Sequence, residues 1–211
     1  MKTISVVGLP SNNIRMFILE LAWVMSRNKK VYCHIGNQDF YDCFSEASMK
    51  LTDIGNVTLL HQLEDLQSPE QDAYLLSDEL MSNADTVIFA VEQNMFSIRY
   101  INRYAFMEEP PQTIFAFLDF IPSNFDDHYL KHYYFDKRLT VCNSVDFYFE
   151  FDEKTRLMQI ENQFNRIIDM KKYPKSRKIE LLNLSDSIIA DSDGCSYKEY
   201  FKSLDERLST C

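Results

Sequence analysis

Glycine and proline are scarce in this sequence, which has only 4 glycines and 6 prolines among 211 residues. A loop that cradles phosphate needs several glycines so that backbone amides can converge on the ligand, and the scarcity argues against an intact loop of that kind. The 16 phenylalanines, the 12 tyrosines and the hydrophobic content of 45% are typical of a globular chain built mainly from regular elements.

Closely spaced cysteines are also missing. The five cysteines are odd in number and widely scattered, at positions 33, 43, 142, 195 and 211. This spacing excludes a C-x-x-C zinc ribbon and argues against a disulfide framework. We therefore expect a protein of the reducing cytoplasm that holds no metal.

Long apolar runs and an excess of positive charge are lacking as well. No run approaches the roughly 20 apolar residues of a spanning helix, and the first residues do not have the pattern of an export signal. The net charge of −10 makes the chain as a whole repel phosphate backbones and anionic lipids. We expect no integral membrane segment, and the charge disfavours nucleic-acid binding.

Apolar spacing predicts strands that alternate with helices. Short β-branched or aromatic runs predict strands at 3–9, 31–35, 57–60, 86–91, 113–120 and 145–151. Apolar residues three and four apart predict helices at 14–27, 71–81, 97–106, 155–170 and 197–208, the first with Asn12 or Asn13 as its N-cap. The aromatic segment 120–143 predicts a loop or short helices. This alternation is typical of one α/β domain over residues 1–211, with a doubly wound, mostly parallel, Rossmann-like sheet flanked by helices.

Two segments carry a resemblance to a known class of proteins. The first is strand, loop and helix at 3–27, with the loop sequence GLPSNNIR at 8–15; the second is NADTVIFAVEQNMFSIR at 83–99. They resemble the ParA/MinD class of dimeric P-loop ATPases, which includes the CpaE/TadZ-like branch. In that class Ala-Asp precedes an apolar strand and Ser-x-Arg opens the next helix, as Ala84-Asp85 and Ser97-Ile98-Arg99 do here. The resemblance implies a P-loop NTPase-like fold and a dimer, formed either by two copies or with a related ATPase.

The phosphate loop departs from the pattern of that class. Gly8 keeps the first glycine, Asn13 replaces the last one, and Ile14 stands where the class has its phosphate-binding lysine. Arg15 stands at the Ser or Thr that holds Mg²⁺. The resemblance leaves Gly8, Asn12, Asn13 and Arg15 as a candidate degenerate phosphate site, in which Arg15 at the start of a helix would face the anion.

The acidic residues that the ParA/MinD class has after its second and third strands are also not at the expected positions. The acid expected after the second strand is absent from Ile35-Gly36-Asn37, and the acid expected after the third strand would fall near His61-Gln62. Phosphoryl transfer depends on the lysine, the Ser or Thr and the Mg²⁺ carboxylates for electrostatic stabilisation. The resemblance with these losses predicts a pseudo-ATPase without a cofactor, not an enzyme. A nucleotide-binding sensor, or a weak ATPase with a non-standard phosphate loop, stays open.

Two histidines have a spacing that can bind zinc. His128 and His132 lie four residues apart and would share one face of a helix. No cysteine and no glutamate of an H-E-x-x-H motif accompanies them, so we interpret them as part of an aromatic surface.

A basic segment lies near the end of the chain. Residues 154–178 carry eight basic and two acidic residues in a chain whose net charge is −10. The candidate contacts to a partner are Lys171, Lys172, Lys175, Arg177 and Lys178. Such a segment suits an acidic protein partner, the chain's own acidic surface or, as an alternative, DNA in the manner of partition proteins.

The resemblance, the altered phosphate loop and the basic segment lead to one functional hypothesis. We expect a non-catalytic scaffold or regulatory adaptor in a bacterial multi-protein machine of the pilus, secretion or conjugation type, as the TadZ-like resemblance implies. The expected location is the cytoplasm, and recruitment to a membrane-bound complex stays open. The alternatives are the nucleotide sensor and a partition-type, DNA-associated protein.

Overall fold

One eight-stranded sheet forms the centre of the computed structural model, which describes residues 1–27, 29–45, 51–66, 69–104, 112–140 and 144–189. The strands are β1 Lys2–Gly8, β2 Val31–His34, β3 Leu51–Ile54, β4 Val57–Leu60, β5 Tyr74–Ser77, β6 Thr86–Glu92, β7 Gln112–Phe120 and β8 Val145–Glu150. Their order across the sheet is β3-β4-β2-β5-β1-β6-β7-β8. β3 runs antiparallel to β4, and all the other neighbours are parallel. The predicted doubly wound, mostly parallel α/β fold is confirmed.

Helices cover both faces of this sheet. They are α1 Asn12–Met25, α2 Gln38–Asp42, α3 Met95–Asn102, α4 Asp127–Tyr133, α5 Lys137–Thr140, α6 Glu153–Asn165 and α7 Lys175–Ile188. Successive residues of a strand point to opposite faces, so Val6 packs in the core cluster with α1 and α7, and Val7 packs in the cluster with α3 and α4. The central strands are therefore buried on both faces, which is the reason most of their residues are apolar and their few buried polar residues, such as Thr3 and Ser5, are uncharged.

The segment 71–81 is not a helix, and this prediction was wrong. Residues 74–77 form β5, which lies between β2 and β1 and is buried along its whole length. Four consecutive buried residues in a central strand show neither the period of a strand nor that of a helix, so Leu75 and Leu76 fitted a helical spacing by chance. β1 and β2 are consequently parallel but are not neighbours.

Other predicted elements agree with the structure apart from their ends. The strands at 57–60, 86–91, 113–120 and 145–151 are confirmed as β4, β6, β7 and β8, and the helices at 14–27, 97–106 and 155–170 as α1, α3 and α6. The N-cap of α1 is Ser11, not Asn12 or Asn13. Helix α7 was not predicted, and α4 and α5 are the short helices expected within 120–143. The predicted helix 197–208 lies outside the described residues.

Candidate functional site

The carboxyl ends of the parallel strands meet at one edge of the sheet, where ligands bind in folds of this kind. β1 ends at Gly8 on this edge, and α1 begins four residues later, at Asn12. A Cβ atom on Gly8 would lie 2.6 Å from the carbonyl oxygen of Ala90 and 2.6 Å from Cδ1 of Ile14. Glycine is therefore needed here because β6 and the first turn of α1 close tightly around the end of β1.

A carboxylate of the protein lies at the start of α1. The Ile14 N–H donates to Oγ of Ser11 (3.2 Å), which caps the helix. The same Ser11 hydroxyl donates to Oε1 of Glu92 at the end of β6 (2.9 Å). The N-terminus of a helix favours an anion, and at the N-terminus of α1 this position lies beside the Glu92 carboxylate.

Asn13 belongs to the same carboxylate network. Its buried side-chain amide donates to Oε1 of Glu92 (3.4 Å) and to Oδ2 of Asp119 (3.1 Å). Asp119 has a left-handed backbone conformation (φ 51°) and also accepts a hydrogen bond from the Arg156 guanidinium. Burial raises the pKa of Asp119, and the charge of Arg156 opposes that rise. Asn13 therefore links α1 to the ends of β6 and β7.

Asn12 and Arg15 lie on the more exposed side of the first turn of α1. Nη1 of Arg15 donates to Oδ1 of Asn12 (3.4 Å), and the guanidinium lies 5.9 Å from the ring centre of Phe40. Among the described residues, Nε of Arg15 is buried and has no hydrogen-bond partner. Gly8 thus ends β1, Asn12, Asn13 and Arg15 lie in the first turn of α1, and a phosphate site among them stays a prediction.

Asp78 is an acidic residue of this edge that sequence reasoning missed. It directly follows β5, the strand beside β1, and its Oδ1 accepts the Gly36 N–H (2.8 Å). Burial raises the pKa of Asp78, an effect that the Gly36 hydrogen bond opposes. The acid sought near His61-Gln62 would follow β4, which two strands separate from β1. The signal was present in the sequence as an apolar run followed by Asp-Glu.

Asp85 and Ser97, which match the Ala-Asp and Ser-x-Arg patterns, form hydrogen bonds that connect elements of the fold. Oδ2 of Asp85 accepts hydrogen bonds from the N–H and the hydroxyl of Thr3 (2.7 and 3.0 Å), which ties the start of β6 to β1. Oγ of Ser97 accepts the Glu92 N–H (3.0 Å), so the first turn of α3 fixes the backbone of the residue that faces α1. Asp85 and Ser97 have structural contacts that explain the pattern without a ligand.

Acidic side chains outnumber basic ones along this edge. The carboxylates at the ends of the parallel strands or within two residues after them are Asp78, Glu79, Glu92, Asp119, Glu150 and Asp152. Arg15 and Arg156 are the two guanidinium groups that contact this edge in the hydrogen bonds described above. An excess of carboxylates repels the phosphates of a nucleotide.

The two histidines stack on α4. The rings of His128 and His132 are nearly parallel, with centroids 6.4 Å apart. Within the described ranges, no three His, Cys, Asp or Glu side chains converge in a way that could hold a metal ion.

The residues of the basic segment separate into two groups. Lys171, Lys172 and Lys175 are exposed, and Lys178 is half-buried and donates to the carbonyl of Lys171 (2.7 Å). Arg177 is buried, and its Nη2 lies 2.7 Å from Oε2 of Glu20. The expectation that Arg177 lies on a surface for partners is therefore not met, because the fold uses its charge internally.

Comparison with known proteins shows what this fold is similar to. No protein-family model and no curated protein matches the sequence. The MinD cell division protein of Aquifex aeolicus is similar in structure with a TM-score of 0.58 at 12% identity, over 93% of this chain and 100% of that chain. A MinC:MinD cell division protein complex from the same organism gives 0.57 at 12%, over 93% and 99%.

A plasmid partition protein shares the architecture as well. The putative partition protein of Borrelia burgdorferi B31, in a structure bound to AMPPNP, gives a TM-score of 0.58 at 10% identity, over 90% of this chain and 97% of that chain. At such identities the likeness concerns the fold alone, which is similar to that of the MinD and plasmid partition structures. Among the described residues, no helix has both the length and the apolar character to cross a bilayer.

Proposed function

We propose that this chain is a non-catalytic protein with a ParA/MinD-like fold that acts as a scaffold or regulatory adaptor in a bacterial multi-protein assembly. The observation that carries the proposal is the Glu92 carboxylate, which accepts hydrogen bonds from Ser11 and Asn13 at the start of α1. In a P-loop ATPase the phosphates bind at this helix start and meet backbone amides and a lysine. A fixed carboxylate in this region opposes phosphate binding.

The residue at the lysine position supports the same proposal. Ile14 is buried in the core cluster beneath α1, and its Cδ1 lies near Gly8. An apolar side chain directed inward supplies no charge to a phosphate. The first turn of α1 therefore stabilises the fold in place of a ligand.

Binding to other proteins is the activity that we assign to this chain. A protein of similar fold, MinD, has been solved in a complex with MinC. In this chain the exposed side chains of Lys171 and Lys172 are positive groups on an acidic protein, which suits contact with an acidic partner. We place the protein in the cytoplasm, in an assembly of the pilus, secretion or conjugation type.

Calorimetric titration with ATP, ADP and GTP, each with Mg²⁺ and up to millimolar concentrations, tests the non-catalytic part of the proposal. We expect no heat of binding, while an active ATPase of the same fold titrated in parallel binds. Micromolar affinity for any of the three would overturn the proposal and favour the nucleotide sensor, with Arg15→Ala then identifying the site.

Variants in the native host test the adaptor part. We expect the double charge reversal Lys171→Glu/Lys172→Glu to impair the assembly. The control is Arg99→Glu/Arg103→Glu, in α3 and at its C-cap, which makes an equal charge change and should not impair it. Arg15→Ala removes the cation of the candidate phosphate site while the α1 cap Ser11 and the core residue Ile14 stay in place, and it should leave the phenotype unchanged. The reverse pattern would contradict the adaptor role.

A further inference from the structure

Helix α6 turns its polar side to the protein and its apolar side to solvent. The residues on its buried face are Thr155, Met158, Gln159 and Asn162. The large apolar residues on its opposite face are Leu157, Ile160 and Phe164, which are 53%, 51% and 86% exposed. A surface helix of a globular protein normally has the opposite arrangement.

Hydrogen bonds fix α6 in this orientation. Nε2 of Gln159 donates to Oε1 of the buried Glu20 (2.8 Å), and Nδ2 of Asn162 donates to the Tyr173 hydroxyl (3.4 Å). Rotation of the helix to bury Phe164 would leave these polar groups without partners in the core. The apolar face therefore stays outward in this fold.

The exposed residues have the spacing of a helix-packing seam. Leu157, Ile160 and Phe164, followed by the half-exposed Ile167 just beyond the helix, are separated by three, four and three positions. Within the helix, this interval places Leu157, Ile160 and Phe164 along one line, as in a pair of packed helices. Ile167 follows the left-handed C-cap Arg166 and is exposed as well. Contiguous exposed apolar residues of this kind mark interaction sites. We call Leu157, Ile160, Phe164 and Ile167 the α6 seam.

We propose that the α6 seam binds the α6 seam of a second copy of this chain, with the two helices antiparallel. Glu153 lies exposed in the first turn of α6, and Arg166 lies exposed at its C-cap. In an antiparallel pair, Glu153 of each copy comes near the Arg166 end of the other, so opposite charges meet at both ends. A parallel pair would bring like charges together.

The charge of the helix argues for this occupant over an anionic membrane or nucleic acid. Apart from Arg156, which binds Asp119, the charged residues from the first turn to the C-cap are Glu153, Lys154, Glu161 and Arg166. With two acidic and two basic residues, the net charge around the α6 seam is zero. Helices that bind anionic membranes and surfaces that bind nucleic acids have an excess of basic residues. A two-fold axis makes such a contact self-complementary.

Sedimentation equilibrium of the full chain without nucleotide tests the proposal. We expect a reversible dimer, and Phe164→Asp should raise its dissociation constant by about 30-fold or more, as removal of a central interface anchor does. The matched control is Phe96→Asp on α3, which changes a phenylalanine that is 73% exposed and should leave the dimer intact. Circular dichroism should show that both variants fold, because both side chains face solvent.

Charge reversal tests the orientation. Glu153→Arg and Arg166→Glu should each weaken the dimer several-fold, and the double variant should restore it because the pairs are then exchanged. A chain that stays monomeric, or a dimer that survives Phe164→Asp, would overturn the proposal. Dimerisation only after removal of residues 190–211 would also overturn it, because the chain's own C-terminal segment would then be the occupant. None of these readouts uses nucleotide, so failure here is distinguishable from failure of the proposed function.

Discussion

The Arg177 guanidinium binds the Glu20 carboxylate inside the protein, with Nη2 2.7 Å and Nε 3.1 Å from Oε2. Both side chains are almost completely buried. Oε1 of Glu20 accepts hydrogen bonds from Gln159 (2.8 Å) and from the Tyr173 hydroxyl (3.0 Å). The pKa of Tyr173 is raised, mainly by burial and secondly by the negative charge of Glu20, so the hydroxyl keeps its proton and remains a donor. This network joins α1, α6 and α7.

Removal of one charge from this pair should destabilise the protein strongly. Arg177→Met leaves the Glu20 carboxylate buried without its cation, and we expect the free energy of unfolding to fall by about 3–5 kcal/mol. Urea unfolding followed by circular dichroism measures it. The double variant Glu20→Gln/Arg177→Met should recover part of the loss. Lys172→Met, at an exposed neighbour, is the control and should change stability by less than about 0.5 kcal/mol; equal effects of the two single variants would contradict the buried pair.

The cap of α1 should depend on Ser11 and not on Asn12. Ser11→Ala removes the acceptor of the Ile14 N–H and the donor to Glu92, so we expect a loss of about 0.5–2 kcal/mol in unfolding free energy. Asn12→Ala changes the adjacent exposed residue and should have a much smaller effect. A double-mutant cycle of Ser11→Ala with Glu92→Ala should give a nonzero coupling energy. Additive losses would show that the Ser11–Glu92 bond contributes nothing.

Two glycines of the carboxyl edge should respond differently to substitution by alanine. Gly8→Ala places a methyl group against the Ala90 carbonyl and should destabilise the fold by about 1–3 kcal/mol. Gly36→Ala is the control, because the new methyl group meets the flexible end of the Glu79 side chain. Thermal unfolding of both variants measures the difference. A Gly8→Ala variant as stable as Gly36→Ala would contradict the tight closure of β6 and α1 on Gly8.

The β3–β4 hairpin should lose stability in acid through Asp53. The Thr58 hydroxyl donates to Oδ1 of Asp53, with Lys30 Nζ 3.2 Å away, and these contacts lower the pKa of that carboxyl. Because the pKa is lower in the folded state, the contribution is present above the ordinary carboxyl pKa and is lost as pH falls through the folded pKa. Thr58→Val should raise the pKa of Asp53 in an NMR titration, whereas Thr58→Ser keeps the hydroxyl and should not. An unchanged titration in Thr58→Val would assign the shift to Lys30.

Much of the sheet was predictable from the sequence because its strands are long and apolar. The strands at 86–91 and 113–120 agree with β6 and β7, since buried β-branched and aromatic runs of this length have few alternatives. β5 was missed, because its four buried residues do not by themselves distinguish a strand from a helix, and only the Asp-Glu pair after the apolar run marked its end. Among the candidate site residues, Gly8 and Asn13 lie at the carboxyl edge as expected, and Asp78 was missed because β5 was missed.

The sequence by itself determined the class of the fold and the chemical character of the loop at 8–15. Apolar strands alternating with helices predict a doubly wound sheet, and the absence of a lysine from residues 8–15 is read directly from the residue types. Only the tertiary structure decided that Arg177 pairs with Glu20 instead of facing solvent, and that Glu92 faces Ser11. The residues in each pair lie 157 and 81 positions apart, and a side chain's partner over such separations depends on how the strands and helices pack. The spacing of apolar residues along the sequence shows which face of a helix or strand is apolar. The packing of the elements determines which residues contact that face.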